Sequence, residues 1–302
     1  MAERFIEMNN APSNEHINSW IQQYVPELDF FFIKESDLLE LDKYLFEVLI
    51  IPKNEFFKHT SYNDIQIVNS YEFWSIANDV QYIIVAKSEW FNKLPKDQKN
   101  MLNKRQVEIN RGLVLPLNNT SSNISDEHLV FKNSKTYIVI QSKMWNSLSY
   151  QLKVEMLLEY AKKWDSWSCS ELPEKAPIHL KQFANTFPYK AGSNCLSATL
   201  FAATQHEWMI HEWVHPQTFL EGIKKAGYLI HEGDVEDTDI ITWINTEGVI
   251  QHASYCIGDK LFFNKNGQTF FNPWKIVEWT KLKEEWKKFN TRIYRKPYNN
   301  QI

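Results

Sequence analysis

The chain has 302 residues, is 43% hydrophobic and 23% charged, and carries a formal net charge of −4 with both signs mixed along its length. That is enough chain for two domains with cores of their own, and the composition excludes a disordered protein. The charge argues against a nucleic-acid or anionic-membrane partner, and three cysteines (Cys169, Cys195, Cys256) without a C-x-x-C fit a reducing compartment.

Residues 1–10 lack the basic-then-apolar layout of a secretory signal, and no apolar run reaches bilayer-spanning length, so the expected location is the cytoplasm. A strand is expected over Phe46–Ile51, just before Pro52. An echo follows: Tyr82-Ile83-Ile84-Val85 recurs 55 residues later as Tyr137-Ile138-Val139-Ile140, Trp90 as Trp145, and Met101-Leu102 as Met156-Leu157. Each copy reads as a buried strand followed by a helix. Neither copy can bury its apolar face alone, so the two are expected to pack in one domain, with the 46–51 strand in the same sheet. The copies share no acid, histidine or cysteine, which marks them as scaffold. The polar run 118–123 reads as a surface loop. Serine, proline and charge over 165–177 put the expected boundary near residue 172, between an α/β scaffold or partner-binding domain (1–172) and a second domain (173–302).

The second half reads as helices, then strands. One helix opens at Cys195 and ends near Gln205; another starts at Pro216 and stops at Gly227. Strands are expected at 239–244, 248–258, 261–266, 274–279 and 291–295, an antiparallel meander. The fold class is therefore α+β.

Cys195 is followed by small, helix-compatible residues, and a thiol at a helix start feels unpaired N–H groups and the positive end of the dipole. A depressed thiol pKa is the expectation. His252 comes 57 residues later in a strand bounded by glycines, and Asn264 a further twelve on. A neutral imidazole beside the thiol takes its proton, and an amide behind the ring fixes the tautomer. Parity tests this pattern. A three-residue turn at Gly258-Asp259-Lys260 sets Ser254 opposite Asn264 and His252 opposite Asn266, with both asparagines on the histidine's face. A two-residue turn at Gly258-Asp259 turns them away, so Asn264 as the orienting group depends on turn length. The competing account is an inert buried cysteine, a strand histidine bonded to a carbonyl, and turn asparagines ahead of Gly267.

A rival motif lies between these residues. His211-Glu212-Trp213-Val214-His215 is a literal H-E-x-x-H, which for zinc needs both histidines on one helix face. Pro216 disfavours the helical conformation at His215 and starts a new helix there. Glu221 and His231 are third-ligand candidates by residue type alone.

With its cysteine at a helix start and the run His252-Ala253-Ser254-Tyr255-Cys256-Ile257-Gly258, the stretch of about residues 180–297 resembles the papain-like cysteine peptidase and amidase superfamily, nearest its NlpC-type branch. Asn264 falls where that branch has its polar third residue, Gly233-Asp234 resembles its Gly-Asp element, and Tyr189 its tyrosine before the nucleophile. The chain departs from the branch in having Asn194-Cys195-Leu196-Ser197 where Asp-Cys-Ser-Gly is usual, and in the long acidic segment before the histidine strand. The resemblance implies a thiol hydrolase of small peptides or amides, cell-wall muropeptides included, although no export signal points to intact wall. Cys195 would be the nucleophile, His252 the base and later the acid, and Asn264 the orienting group. The Cys195 N–H would serve the oxyanion, with Tyr189, Ser197, Ser254 and Asn266 at the substrate and no cofactor or metal. Acyl transfer would use the same residues. The other readings are a non-catalytic peptide-binding or assembly module, with the aromatic-rich first half as its protein-partner surface, and a zinc hydrolase.

Overall fold

The two echoed strands each become the middle strand of a separate three-stranded antiparallel sheet. The computed structural model of the chain describes residues 7–71, 76, 78–117 and 124–297, so the polar run 118–123 lies outside the described residues. The chain divides into two compact units, 20–160 and 1–19 with 161–302.

In chain order, β1 (Glu7–Asn9) and α1 (Asn14–Gln23) precede β2 (Leu28–Ile33), α2 (Glu35–Leu41), β3 (Leu49–Pro52), α3 (Lys53–Phe56), α4 (Ile65–Tyr71), β4 (Tyr82–Lys87), α5 (Ser88–Lys93) and α6 (Lys96–Ile109). Then come β5 (Leu113–Leu117), β6 (Leu129–Lys132), β7 (Lys135–Ile140), α7 (Ser142–Ser147) and α8 (Tyr150–Ala161). The sheets run β2-β4-β3 and β5-β7-β6. In both, the third strand in sequence slots between the first two and is followed by a short helix and a longer one. The strand expected before Pro52 joins the first copy's sheet, and each copy keeps its own sheet because local strands fill both edges of β4 and of β7. The middle strands are apolar on both faces, with Ile83, Ile84, Ile138 and Val139 buried, as strands covered on two sides require. At the edge strand β2, Gln106 from α6 stands in for a missing strand. Its amide accepts from Phe32 N at 2.8 Å and donates to Phe32 O at 2.9 Å.

The other unit adds β8 (Ser168–Ser170), α9 (Cys195–Thr204), α10 (Pro216–Lys225), β9 (Leu229–His231), β10 (Ile240–Ile244), β11 (Ile250–Gly258), β12 (Leu261–Lys265), β13 (Trp274–Glu278), α11 (Trp279–Glu285) and β14 (Asn290–Arg295). Its six-stranded antiparallel sheet runs β13-β12-β11-β10-β14-β9, with the expected meander in β10–β13. Alternation gives the sheet two apolar faces. Ala253, Tyr255, Phe263 and Ile276 pack with Leu196 and Phe201 of α9, while Trp243, Cys256, Phe262 and Val277 pack with Leu282 of α11. Among the described residues, no helix is long and apolar enough to cross a membrane.

This division differs from the boundary expected near residue 172. The serine-rich run belongs to the second unit: β8 pairs with β1, setting Met8 opposite Cys169, and Asp165 forms a 2.8 Å ion pair with Lys275, both side chains at most 5% exposed. Composition suggested a linker because a short polar strand and a buried carboxylate use the same residue types as one.

Candidate active site

Cys195 is the first residue of α9, and the sequence ahead of it fixes that start. Asn194 caps the helix, accepting from Ser197 N at 2.9 Å, while Ser197 Oγ accepts from Asn194 N at 3.0 Å. Asn194 Nδ2 also donates to Val214 O at 2.8 Å. Ser197 is completely buried in this box and so is not a substrate contact, contrary to expectation. Cys195 as a residue is partly exposed, whereas Cys169 and Cys256 are buried.

The main chain brings Cys195 to the histidine strand. On β11 the Cys256 amide donates to Asp239 O at 2.8 Å, on the β10 side. Alternation therefore turns the Ala253 amide the other way, toward β12. There the β11–β12 ladder ends at Tyr255↔Phe263, and Cys195 packs against the core cluster that contains Ala253. Cys195 and His252 share no hydrogen bond among the described residues. Cys195 packs on the Ala253–Tyr255 face of the sheet, whereas His252, opposite Trp243 and stacked on Trp286, lies on the other face, so the two expected partners are not brought together.

The hairpin is neither of the two turns weighed from the sequence. Its loop is the two residues Asp259-Lys260, both with positive φ (50° and 59°), and Gly258 faces Leu261. A bulge between Cys256 and Gly258 then absorbs one extra residue. Phe262 and Phe263 consequently face Cys256 and Tyr255, the register a three-residue turn would give, and Asn264 returns to the histidine's face.

His252 Nε2 lies 2.7 Å from Asn264 Oδ1, and Ser254 Oγ donates to that oxygen at 2.5 Å. Asn264 Nδ2 donates to Asn266 Oδ1 at 2.9 Å. The imidazole stacks on Trp286 with centroids 4.0 Å apart and planes 6° apart, and Trp243 lies 5.3 Å away. Asn264 is thus the residue on the ring. Ser254 and Asn266, expected at the substrate, instead spend their polar groups beneath it: Ser254 is fully buried, and Asn266 Nδ2 donates to Glu285 Oε1 at 2.7 Å and Asp165 Oδ1 at 3.3 Å. Tyr189 remains half exposed, its ring stacked on His16 at 4.3 Å and its carbonyl accepting from Ser19 Oγ at 2.8 Å.

Burial dominates the electrostatics. It pushes the Cys195 thiol up to about 11, against the Ala253 and Leu196 amides and the cationic Lys265, which pull it down. The expected depression by the helix start is therefore overturned, because desolvation of the thiolate outweighs the amides. Burial also pushes His252 down to about 3, with Asn264 opposing. The resting pair is a neutral thiol and a neutral imidazole. Lys265 faces the α9 side, fully buried, with Nζ donating to Thr269 O at 3.0 Å and Asn272 O at 2.7 Å; burial lowers it to about 7.

The H-E-x-x-H segment is not one helix. His211 closes a short 3-10 turn, Glu212–His215 is not helical, and His215 is extended (ψ 157°) ahead of Pro216 at the start of α10. His211 packs against Phe183 and Trp274, while His215 stacks on Trp213. With no cluster of three or more metal-type ligands among the described residues, this segment lacks the geometry zinc chemistry needs.

Four residues of the site were not singled out from the sequence: Trp286, Glu285, Asp165 and Lys265. Lys265 carried the one available signal, since strand parity sets it beside Ala253 on the buried α9 face, where a lysine is rare. The other three arrive from distant segments and leave no local pattern. No family model matches the chain, and neither does any curated protein or solved structure.

Proposed function

We propose that the unit built around α9 and β10–β13 is a peptide-binding or assembly module without catalysis. The carrying observation is that Cys195 packs on the α9 face of the sheet while His252, 2.7 Å from Asn264 Oδ1 and stacked on Trp286, lies on the α11 face, so the thiol has no imidazole beside it to take its proton. A thiol at about 11 and a ring at about 3 fit the same reading. Small peptides, muropeptides among them, are the ligand class this reading favours.

A papain-like, cysteine-dependent hydrolase of amide or peptide bonds, with Cys195, His252 and Asn264 as its triad, is the second reading, favoured by the 2.7 Å His252–Asn264 bond. One experiment separates the two. The full chain is incubated with a mixture of small peptides that includes muropeptides, and both amine release and mass addition at Cys195 are measured. Catalysis gives amine release and a thioester adduct, both absent from Cys195→Ala. Binding without either product, unchanged in Cys195→Ala, selects the module.

A further inference from the structure

Carboxylates only accept hydrogen bonds, and that fact orders everything between them and the imidazole. Glu285 Oε1 and Asp165 Oδ1 both face one side-chain atom of Asn266, at 2.7 Å and 3.3 Å, so that atom must be the donor Nδ2. Asn266 then turns Oδ1 toward Asn264, at 2.9 Å, which requires Asn264 to present its own Nδ2 there. Asn264 is left with Oδ1 toward the ring, 2.7 Å from His252 Nε2, and a ring nitrogen facing a carbonyl oxygen must carry the hydrogen. Ser254 Oγ also reaches Asn264 Oδ1, but a hydroxyl both donates and accepts, so it follows this polarity without choosing it.

We infer that Glu285 and Asp165, acting through Asn266 and Asn264, fix His252 as the Nε2-protonated tautomer. They are positioning residues: none touches a reacting atom, and their effect is to leave Nδ1 as the acceptor. The two asparagines between ring and carboxylates make the tautomer a property of the surrounding side chains rather than of Asn264 alone. A lone asparagine could rotate its amide and present Nδ2 to the ring; here that rotation would set Asn264 Oδ1 against Asn266 Oδ1, and rotating Asn266 in turn would set its Oδ1 against two carboxylates. The inference stands on the side-chain network and rests on the triad reading only for any catalytic consequence.

The test reads the tautomer without turnover. Full-length chain carrying nitrogen-15 histidine is examined at neutral pH by long-range proton–nitrogen correlation, with His252→Gln identifying the resonance among the nine histidines. The native chain is expected to show the Nε2–H tautomer alone. Asn266→Leu should shift the ring to a mixture of both tautomers, and Asn266→Asp combined with Glu285→Gln should restore Nε2–H, because an acceptor again faces Asn264. An Asn266→Leu chain with native backbone spectra and a pure Nε2–H ring would overturn the inference. Should that variant not fold, Glu285→Lys at the exposed end of α11 asks the same question. A donor there should draw Asn266 Oδ1 to itself and populate Nδ1–H, and an unchanged ring would again overturn the proposal. Loss of the tautomer in a protein that cleaves nothing would leave this inference standing and sink the catalytic one.

Discussion

In unit 20–160 the buried run His128–Gln141–Asn103 ends on a main-chain oxygen, whereas in the other unit the run from His252 ends on two carboxylates. Gln106 bonds Phe32 N and O, Asn103 bonds Glu127 O, and Asp29, which burial lifts to about 7, accepts from Ser142 N at 2.7 Å. These bonds complete backbone pairing at sheet edges and helix starts. In the other unit His252, Ser254, Asn264 and Asn266 bond side chain to side chain and end on Glu285 and Asp165. A main-chain carbonyl and a carboxylate both fix the polarity of a run that ends on them, so the two runs differ in the charge at their far end rather than in direction.

The contrast predicts separable losses. The largest is in turnover: Cys195→Ala or His252→Ala should lower any amide hydrolysis by roughly 10³-fold or more with little change in thermal stability, in keeping with removal of a nucleophile or its base. Activity surviving in both variants would end the triad reading. Next in size is Gln106→Ala, which leaves a buried N–H and C=O unpaired at β2. It should cost about 2–5 kcal/mol in urea unfolding while leaving the alkylation rate of Cys195 unchanged in the folded protein. A changed rate there would mean that scaffold and site are not separable.

Acid stability sharpens the same contrast. The folded chain holds His252 at about 3, below its ordinary value of 6.5, so the unfolded chain binds this proton first as pH falls. The associated stability is present above the ordinary value and should drain away between those two pH values, by on the order of a few kcal/mol. Urea titrations from pH 7 to 4 should show this slope in the native chain and a flatter one in His252→Gln; identical slopes would count against a neutral buried ring. The same logic bears on labelling. Iodoacetamide should modify Cys195 ahead of Cys169 and Cys256 because it is the least buried of the three residues, and the rate should climb without a plateau toward pH 11. A plateau near neutrality would reveal a standing thiolate–imidazolium pair. Smallest is the difference between two neighbours: Asn264→Ala should reduce any turnover by about 10–100-fold, the usual scale for an orienting partner, and Asn266→Ala by less, since Asn264 keeps its bond to the ring. The reverse order would assign the orienting role to Asn266.

Much of this arrangement could be read from residues alone, and the failures have a common origin. The echo at 82–85 and 137–140 is a local pattern, and it predicted two buried strands followed by helices. The cysteine at a helix start and the histidine–asparagine pairing are local patterns too, although the register came through a bulge rather than a longer loop. Ser197 and Ser254 were misjudged because a serine's type does not say whether its hydroxyl faces outward or caps a neighbour. The thiol pKa was misjudged because dipole and amides are visible in sequence while desolvation is not. Asp165, Glu285 and Trp286 converge on the site from segments far from Asn264 in sequence, so only folding reveals them.

The pairing of β1 with β8 has a consequence for how the chain is made. Glu7–Asn9 finds its partner at Ser168–Ser170, and the whole of unit 20–160 is synthesised in between. At roughly 5–20 residues per second, the first strand waits on the order of ten to thirty seconds for that partner to emerge, and longer for β10–β14. The inserted unit is complete on the ribosome well before Cys195 leaves the tunnel. A nascent chain thus carries the 20–160 unit ahead of the Cys195 helix, and the sheet beneath that helix is incomplete until β10–β14 have emerged.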